Sequence, residues 1–438
     1  MYVLSSTIDE VFHIKTIRAR QILDSRGNPT VEVTVATEGA GVGVAAAPSG
    51  ASTGKHEAWE LRDGGKEYHG KSVLKAVENV NKIIAPALMG MDSRLQRTID
   101  QKMIALDGTA NKSRLGANAI VATSLAVAKA AASTYDLPLY RYLGGFKAHT
   151  LPVPMLNIIN GGAHAGNKLD FQEFMIVPVE FDSFSEAIRA AVEVYHELKK
   201  YLKNRYGASA INVGDEGGYA PPMERVREAL DALMESIRAA GYIPGQDIAL
   251  ALDVASSQFY DEERKVYVVE GVNYTSDKLL ELYMELVDEY PIVSIEDPFY
   301  EEDFQAFAEA TKVLGKKVLI VGDDLFTTNP ERLARGIEAG AANAVLVKVN
   351  QIGTLTETMD VIELAHRNGY RAIISHRSGE TEDTTIADLA VAFETGLIKT
   401  GAPARGERTA KYNRLLAIEA ELEKPYYPGH RVFPRKPT

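Results

Sequence analysis

Six residues in the second half of the chain, Asp253, Glu296, Asp323, Lys348, His376 and Lys399, lie at the ends of apolar runs, at intervals of 43, 27, 25, 28 and 23 residues. Their side chains divide the work of a reaction centre. Three carboxylates are the hard oxygen donors that Mg2+ prefers, and such sites tolerate water and substrate as further ligands. Lys348 stands in the run Ala344-Val345-Leu346-Val347-Lys348-Val349, where an ammonium is costly to bury unless paired. Alone it is a strand-end lysine whose head snorkels to water. Beside three acids, a histidine and a second lysine it reads as a base with a lowered pKa.

Runs such as Ile248-Ala249-Leu250-Ala251-Leu252 and Ala372-Ile373-Ile374-Ser375 are those of strands buried on both faces, as in a parallel sheet covered by helices. Most of the intervals match one strand, loop, helix, loop unit. In a (βα)8 barrel the carboxyl ends of the strands meet on one face, so residues distant in sequence share one pocket. Upstream, the strand-like runs 153–159 and 172–177 are separated by a polar loop too short for a crossover helix, which makes that pair antiparallel. Helical segments near 183–203 and 223–240 follow. The fold class is α/β, a C-terminal TIM-like barrel of ββαα(βα)6 order.

Before the barrel come strands near 14–20, 30–35 and 42–47, then helical segments near 72–88, 93–106 and 117–135, which is an α+β order. Pro152 and Pro154 mark a boundary, because proline breaks both helix and ladder. The expected domains are 1–145, an α+β cap with a mobile loop at 49–54, and 151–438, the barrel with the active site. The tail beyond Lys424, rich in proline and aromatics, reads as an extended surface segment.

The 438 residues include 45% apolar residues, enough for a large core. With 48 basic and 60 acidic residues the formal charge is -12, which argues against direct nucleic-acid binding or an anionic membrane surface. An anionic substrate needs a locally positive site. The absence of cysteine excludes disulfides and thiolate chemistry. No stretch is long and apolar enough to span a bilayer, and the N-terminus lacks a basic region followed by an apolar core, so the expected location is cytoplasmic.

Two motifs fail their tests. Gly50 and Gly54 enclose three residues and His56 follows Lys55, which is not phosphate-loop spacing. His56-Glu57-Ala58-Trp59-Glu60 ends in glutamate where a zinc-protease helix needs histidine. In the loop 160–167 His164 reads as a solvated loop residue, and Asn212 to Gly218 is a turn by composition, although glycines beside Glu216 present a carboxylate without crowding.

With these residues in place the chain resembles the enolase family. The resemblance rests on Ser25 to Thr30, Ser49 to Gly54, Asn160 to Asn167, Gln172-Glu173-Phe174-Met175, Gly214 to Gly218, Ser294-Ile295-Glu296-Asp297-Pro298, Gly322-Asp323-Asp324, Leu346 to Glu357, Ser375 to Asp383 and Lys399-Thr400-Gly401-Ala402-Pro403. It covers residues 14 to about 423, and no catalytic position departs from the family's pattern.

The resemblance implies reversible dehydration of 2-phosphoglycerate to phosphoenolpyruvate in glycolysis and gluconeogenesis. By that likeness Asp253, Glu296 and Asp323 hold one Mg2+, and a second arrives with substrate and binds Ser52. Lys348 is the base. Glu216, supported by Glu173, is the acid. Lys399 helps to stabilise the charge that develops, Arg377 and Ser378 bind phosphate, and His164, Gln172 and His376 line the substrate. The pairing of a lysine base with Mg2+ is the known pattern of this superfamily. A homodimer or octamer is implied. The alternatives are another dehydratase of the superfamily, which would give Ser52, Arg377 and Ser378 no phosphate to hold, and a scaffold role in an RNA-degrading or surface plasminogen-binding assembly. Thr438 rather than lysine ends the chain, which removes the simplest plasminogen handle.

Overall fold

The structure is a computed structural model and describes residues 10–51 and 54–436. Ser52, expected to meet a metal, lies outside the described residues. The chain forms two compact units that are not contiguous in sequence. One comprises the described part of Met1–Ala148 with Lys348–Glu363 and His376–Phe393, and the other His149–Val347, Leu364–Ser375 and the described part of Glu394–Thr438.

In the first unit β1 (Ile14–Leu23), β2 (Pro29–Thr37) and β3 (Val42–Ala46) form an antiparallel sheet in that order. Alternation along β2 buries Val31, Val33 and Val35, as expected of a sheet covered on one side. The cover includes the helix Ala117–Thr134, whose alanines allow close approach. At Gly43 the approach is close: a Cβ there would lie 2.1 Å from the carbonyl oxygen of Ala126, so only glycine fits. The expected helix over 72–88 is interrupted. It runs Leu74–Asn79, widens to a π-helical turn at Val80–Ile84 and resumes at Ala85–Leu88.

The second unit holds a closed eight-stranded barrel. Its strands are β4 (Val153–Asn160), β5 (Glu173–Pro178), β6 (Ile248–Asp253), β10 (Ile292–Glu296), β11 (Leu319–Gly322), β12 (Ala344–Val347), β13 (Arg371–Ser375) and β14 (Leu397–Lys399). All but the first residue of β13 are buried. As expected, β4 and β5 pair antiparallel. β5 is also antiparallel to β6, and the remaining neighbours are parallel. The long first interval, from Asp253 to Glu296, has its cause in an inserted small sheet, β7 (Tyr260–Asp261), β8 (Val266–Val269) and β9 (Val272–Tyr274), ahead of the helix Ser276–Glu289.

The outer helices carry ordinary start signals. Ser183 caps Phe184–Tyr206 by accepting from the Glu186 amide at 3.2 Å, a contact typically contributing about 1 kcal/mol. The tail is more embedded than an extended surface segment. Tyr427 is buried and donates to the Pro178 carbonyl at 2.6 Å, and the His430 amide donates to Val179 at 2.8 Å. Among the described residues no helix is long and apolar enough to cross a membrane.

Candidate active site

Register assembles the barrel's chemistry. Asn160 at the end of β4 pairs with Glu173 at the start of β5, Glu173 pairs with Asp253 at the end of β6, and Asp253 pairs with Glu296 at the end of β10. Paired residues on adjacent strands point to the same face, so three carboxylates converge on one rim. Lys399 at the end of β14 reaches them. Its Nζ lies 2.8 Å from Asp253 Oδ2, 2.9 and 3.0 Å from the oxygens of Glu296 and 3.1 Å from Glu173 Oε2, with a side chain only 3% exposed.

The charges follow from burial and company. Burial alone would lower the Lys399 ammonium's pKa, but Asp253, Glu173 and Glu296 hold it well above the usual lysine range. Burial, then the charge of Asp253, pushes the Glu296 carboxyl well up against the lowering by Lys399. Glu173 is pushed up to about 7, first by burial and then by Glu216, again against Lys399. One ammonium faces three buried carboxylates, so the rim has room in charge for a further cation.

A second group adjoins Glu173. His164 Nδ1 stands 3.5 Å from Glu173 Oε1 and 3.8 Å from Glu216 Oε2. Burial opposes the imidazolium, yet Glu216 and Glu173 hold His164 up to about 9. Glu216 is buried in the turn expected over Asn212 to Gly218, and several bonds fix that turn. Asn157 Nδ2 donates to Glu216 Oε2 at 3.1 Å, the Ala402 amide to the Glu216 carbonyl at 3.0 Å, and Tyr195 to the Gly217 carbonyl at 2.8 Å. Gly217 has φ +86°, and a Cβ there would lie 2.7 Å from the Ala404 carbonyl oxygen. Gln172 donates to Asp253 Oδ2 at 3.3 Å and accepts from Gln258 at 2.6 Å.

Asp323 follows β11. Asp297 orients that turn, accepting from the amides of Asp323 and Asp324 at 2.9 and 2.8 Å. Among the described residues, Asp297 with Asp323 and Asp324, and His164 with Glu173 and Glu216, are groups that could each offer three atoms to one ion. Asp253, Glu296 and Asp323 are not gathered as closely as these two groups, and Lys399 bonds the first two. Their charges nevertheless act on one another across the rim, and the excess of buried carboxylates fits a hard dication.

The remaining expected residues fall in the first unit. Lys348, half-buried, directly follows β12 and opens the one-turn helix Val349–Ile352. His376, Arg377 and Ser378, all buried, directly follow β13. Arg377 is held by residues the sequence reading passed over. Its Nη1 and Nη2 donate to the two oxygens of Glu57 at 3.0 and 3.1 Å, and Nη1 also donates to Asn350 Oδ1 at 3.0 Å. Asn157 carried a signal, as a polar residue inside an apolar strand. Glu57 lay in the motif set aside because it fails as a zinc site.

A closed barrel whose strand ends gather buried acids and a lysine has the architecture of a β/α-barrel enzyme. The family model described as "Enolase, C-terminal TIM barrel domain" matches residues 148–435, and "Enolase, N-terminal domain" matches residues 14–143. The enolase of Pyrococcus furiosus is 65% identical over 416 residues, 95% of this chain and 96% of that one. That of Thermococcus kodakarensis is 63% identical over 429 residues, 98% of each chain. That of Methanocaldococcus jannaschii is 63% identical over 422 residues, 96% of this chain and 98% of that one. The chain belongs to the enolase family, and its activity is that of a glycolytic hydro-lyase, phosphopyruvate hydratase. The family implies a metal cofactor, and the acidic groups described above could hold one.

Proposed function

We propose that this chain interconverts 2-phosphoglycerate and phosphoenolpyruvate with Mg2+ as its metal, with Lys348 as base and Glu216 as acid. Lys348 takes the proton from carbon 2. Glu216 delivers a proton to the hydroxyl on carbon 3, so the carbon–oxygen bond breaks, water leaves and a double bond forms between carbons 2 and 3. The proton on carbon 2 is weakly acidic because its loss puts more negative charge beside a carboxylate, and that charge must be met where it develops. Asp253, Glu296 and Asp323, with Ser52, would hold two Mg2+ ions, which when bound supply that stabilisation. Lys399 adds a fixed positive charge on the same rim.

The remaining roles are substrate positioning. Arg377 and Ser378 receive the phosphate, the guanidinium being suited to a planar, multidentate grip on phosphate oxygens. His164, Gln172 and His376 line the substrate, and Glu173 supports the acid. Residues 1–145 act as the cap of the barrel domain 151–438. The working form is a homo-oligomer in the cytoplasm.

The observation that carries the assignment of the acid is the buried grouping of Glu216 and Glu173 beside His164, because a proton held among carboxylates near neutral pH is what a departing hydroxide needs. The test is a Mg2+-dependent assay following the ultraviolet absorbance of phosphoenolpyruvate, with EDTA as control. Turnover that survives EDTA, or its absence with 2-phosphoglycerate, would overturn the proposal.

A further inference from the structure

Glu57 has no part in the chemistry above, yet it is among the most heavily bonded carboxylates of the first unit. Its oxygens accept from Arg377 Nη1 and Nη2 at 3.0 and 3.1 Å, from the Gly54 amide at 3.0 Å and from Gln351 Nε2 at 3.3 Å. The ion pair is nearly dry, with the Arg377 and Glu57 side chains 3% and 8% exposed. Asn350 Oδ1 accepts a further bond from Arg377 Nη1 at 3.0 Å, while Asn350 Nδ2 donates to the Pro48 carbonyl at 3.2 Å. The Ala58 amide donates to the Gln351 carbonyl at 2.8 Å, so the backbone next to Glu57 is tied to the segment that carries Asn350.

A guanidinium is a rigid planar fork. Two parallel bonds to one carboxylate fix the direction of its long axis, and the third bond, to Asn350, fixes the rotation of its plane. A buried pair of this kind is poor value as stabilisation, because desolvation offsets most of the attraction. Its distinct effect is geometric. We propose that Glu57 is a positioning residue for phosphate recognition: with Asn350 it holds the Arg377 guanidinium in one plane, so that the substrate's phosphate meets a preset fork. This rests on Arg377 as a phosphate ligand. It gives Glu57, in a motif that fails as a zinc site, a part in anion recognition.

The experiment compares Glu57→Gln, Glu57→Asp and Arg377→Lys in steady-state kinetics, with inorganic phosphate as a competitive probe. Glu57→Gln keeps the shape and one acceptor but loses the double grip, and Glu57→Asp keeps the charge one methylene short. The expected result is a rise of about tenfold in both KM and the phosphate inhibition constant for Glu57→Gln, the size of one charge-assisted hydrogen bond, with kcat changed far less. Glu57→Asp should fall between Glu57→Gln and the unmodified enzyme, and Arg377→Lys should weaken phosphate at least as much. Unchanged or tighter phosphate binding in Glu57→Gln, with Arg377→Lys impaired, would overturn the positioning role and leave the phosphate assignment standing. Unchanged phosphate binding in Arg377→Lys would remove the assignment itself. Emission of Trp59, the single tryptophan, reports whether each variant is folded. If Glu57→Gln is not, Glu57→Asp decides: wild-type constants in that variant would overturn the proposal.

Discussion

Asn157 Nδ2 donates a 3.1 Å hydrogen bond to Glu216 Oε2, and both side chains are buried. The bond joins a residue on a rigid barrel strand to one in a glycine-flanked turn, so the strand sets where the carboxyl points. Asn157→Ala is expected to slow dehydration about tenfold, the weight of one buried hydrogen bond, while exchange of the proton on carbon 2 stays near normal. Equal losses in the two measurements would show that Asn157 serves the whole site rather than Glu216.

The two proposed proton carriers separate in the same way. Lys348→Ala should reduce exchange at carbon 2 by about a thousandfold, within the usual contribution of a general base. Glu216→Gln should slow dehydration far more than exchange. Near-normal exchange in Lys348→Ala would end its assignment as the base, whichever residue proves to be the acid.

Stability should fall as pH rises. His164 is held up to about 9 in the folded chain against an ordinary 6.5, so its contribution is complete below 6.5 and is lost as pH climbs through about 9. Glu173, raised from 4.5 to about 7, acts in the same direction at lower pH, since its ionisation opposes folding above 4.5. Urea unfolding in EDTA at pH 6 and pH 9 should give a smaller difference for His164→Gln than for the unmodified chain. An equal difference would mean that the imidazole is not held charged.

Removing metal should matter most when Lys399 is missing. Lys399→Met leaves Asp253, Glu296 and Glu173 facing one another without their ammonium, and in EDTA it should melt about 5 °C lower, the size expected in a domain of this length of the loss of about 3–5 kcal/mol that breaking a buried pair brings. Mg2+ should restore more of the melting temperature in Lys399→Met than in the unmodified chain, because binding to the folded state stabilises by mass action. Equal protection by Mg2+ in both would argue against a metal shared by these carboxylates.

The barrel was legible because its strands are buried on both faces and recur at a steady interval. The reversal of β5 was legible from a loop too short to hold a helix. Asp253, Glu296 and Lys399 were visible as polar ends of apolar runs; register carries the two acids to one rim, where the Lys399 side chain meets them. Glu57 and Asn157 were not marked as site residues, because their significance lies in a partner far away in sequence: 320 residues separate Glu57 from Arg377 and 59 separate Asn157 from Glu216. The inserted sheet β7–β9 was hidden because its strands are two to four residues long, too short for alternation to register. Residues 348–363 and 376–393 group with the first unit through tertiary contacts that no local composition announces.

The reversal of β5 decides which of its two ends faces the chemistry. Running against its neighbours, it offers its first residue, Glu173, in line with Asn160 and Asp253. A β5 parallel to β4 and β6 would offer its last residue, Pro178, which has no acid and no backbone donor. A barrel redrawn with perfect eightfold regularity would therefore be tidier and chemically poorer, and a designer borrowing this scaffold must copy the hairpin along with the acids.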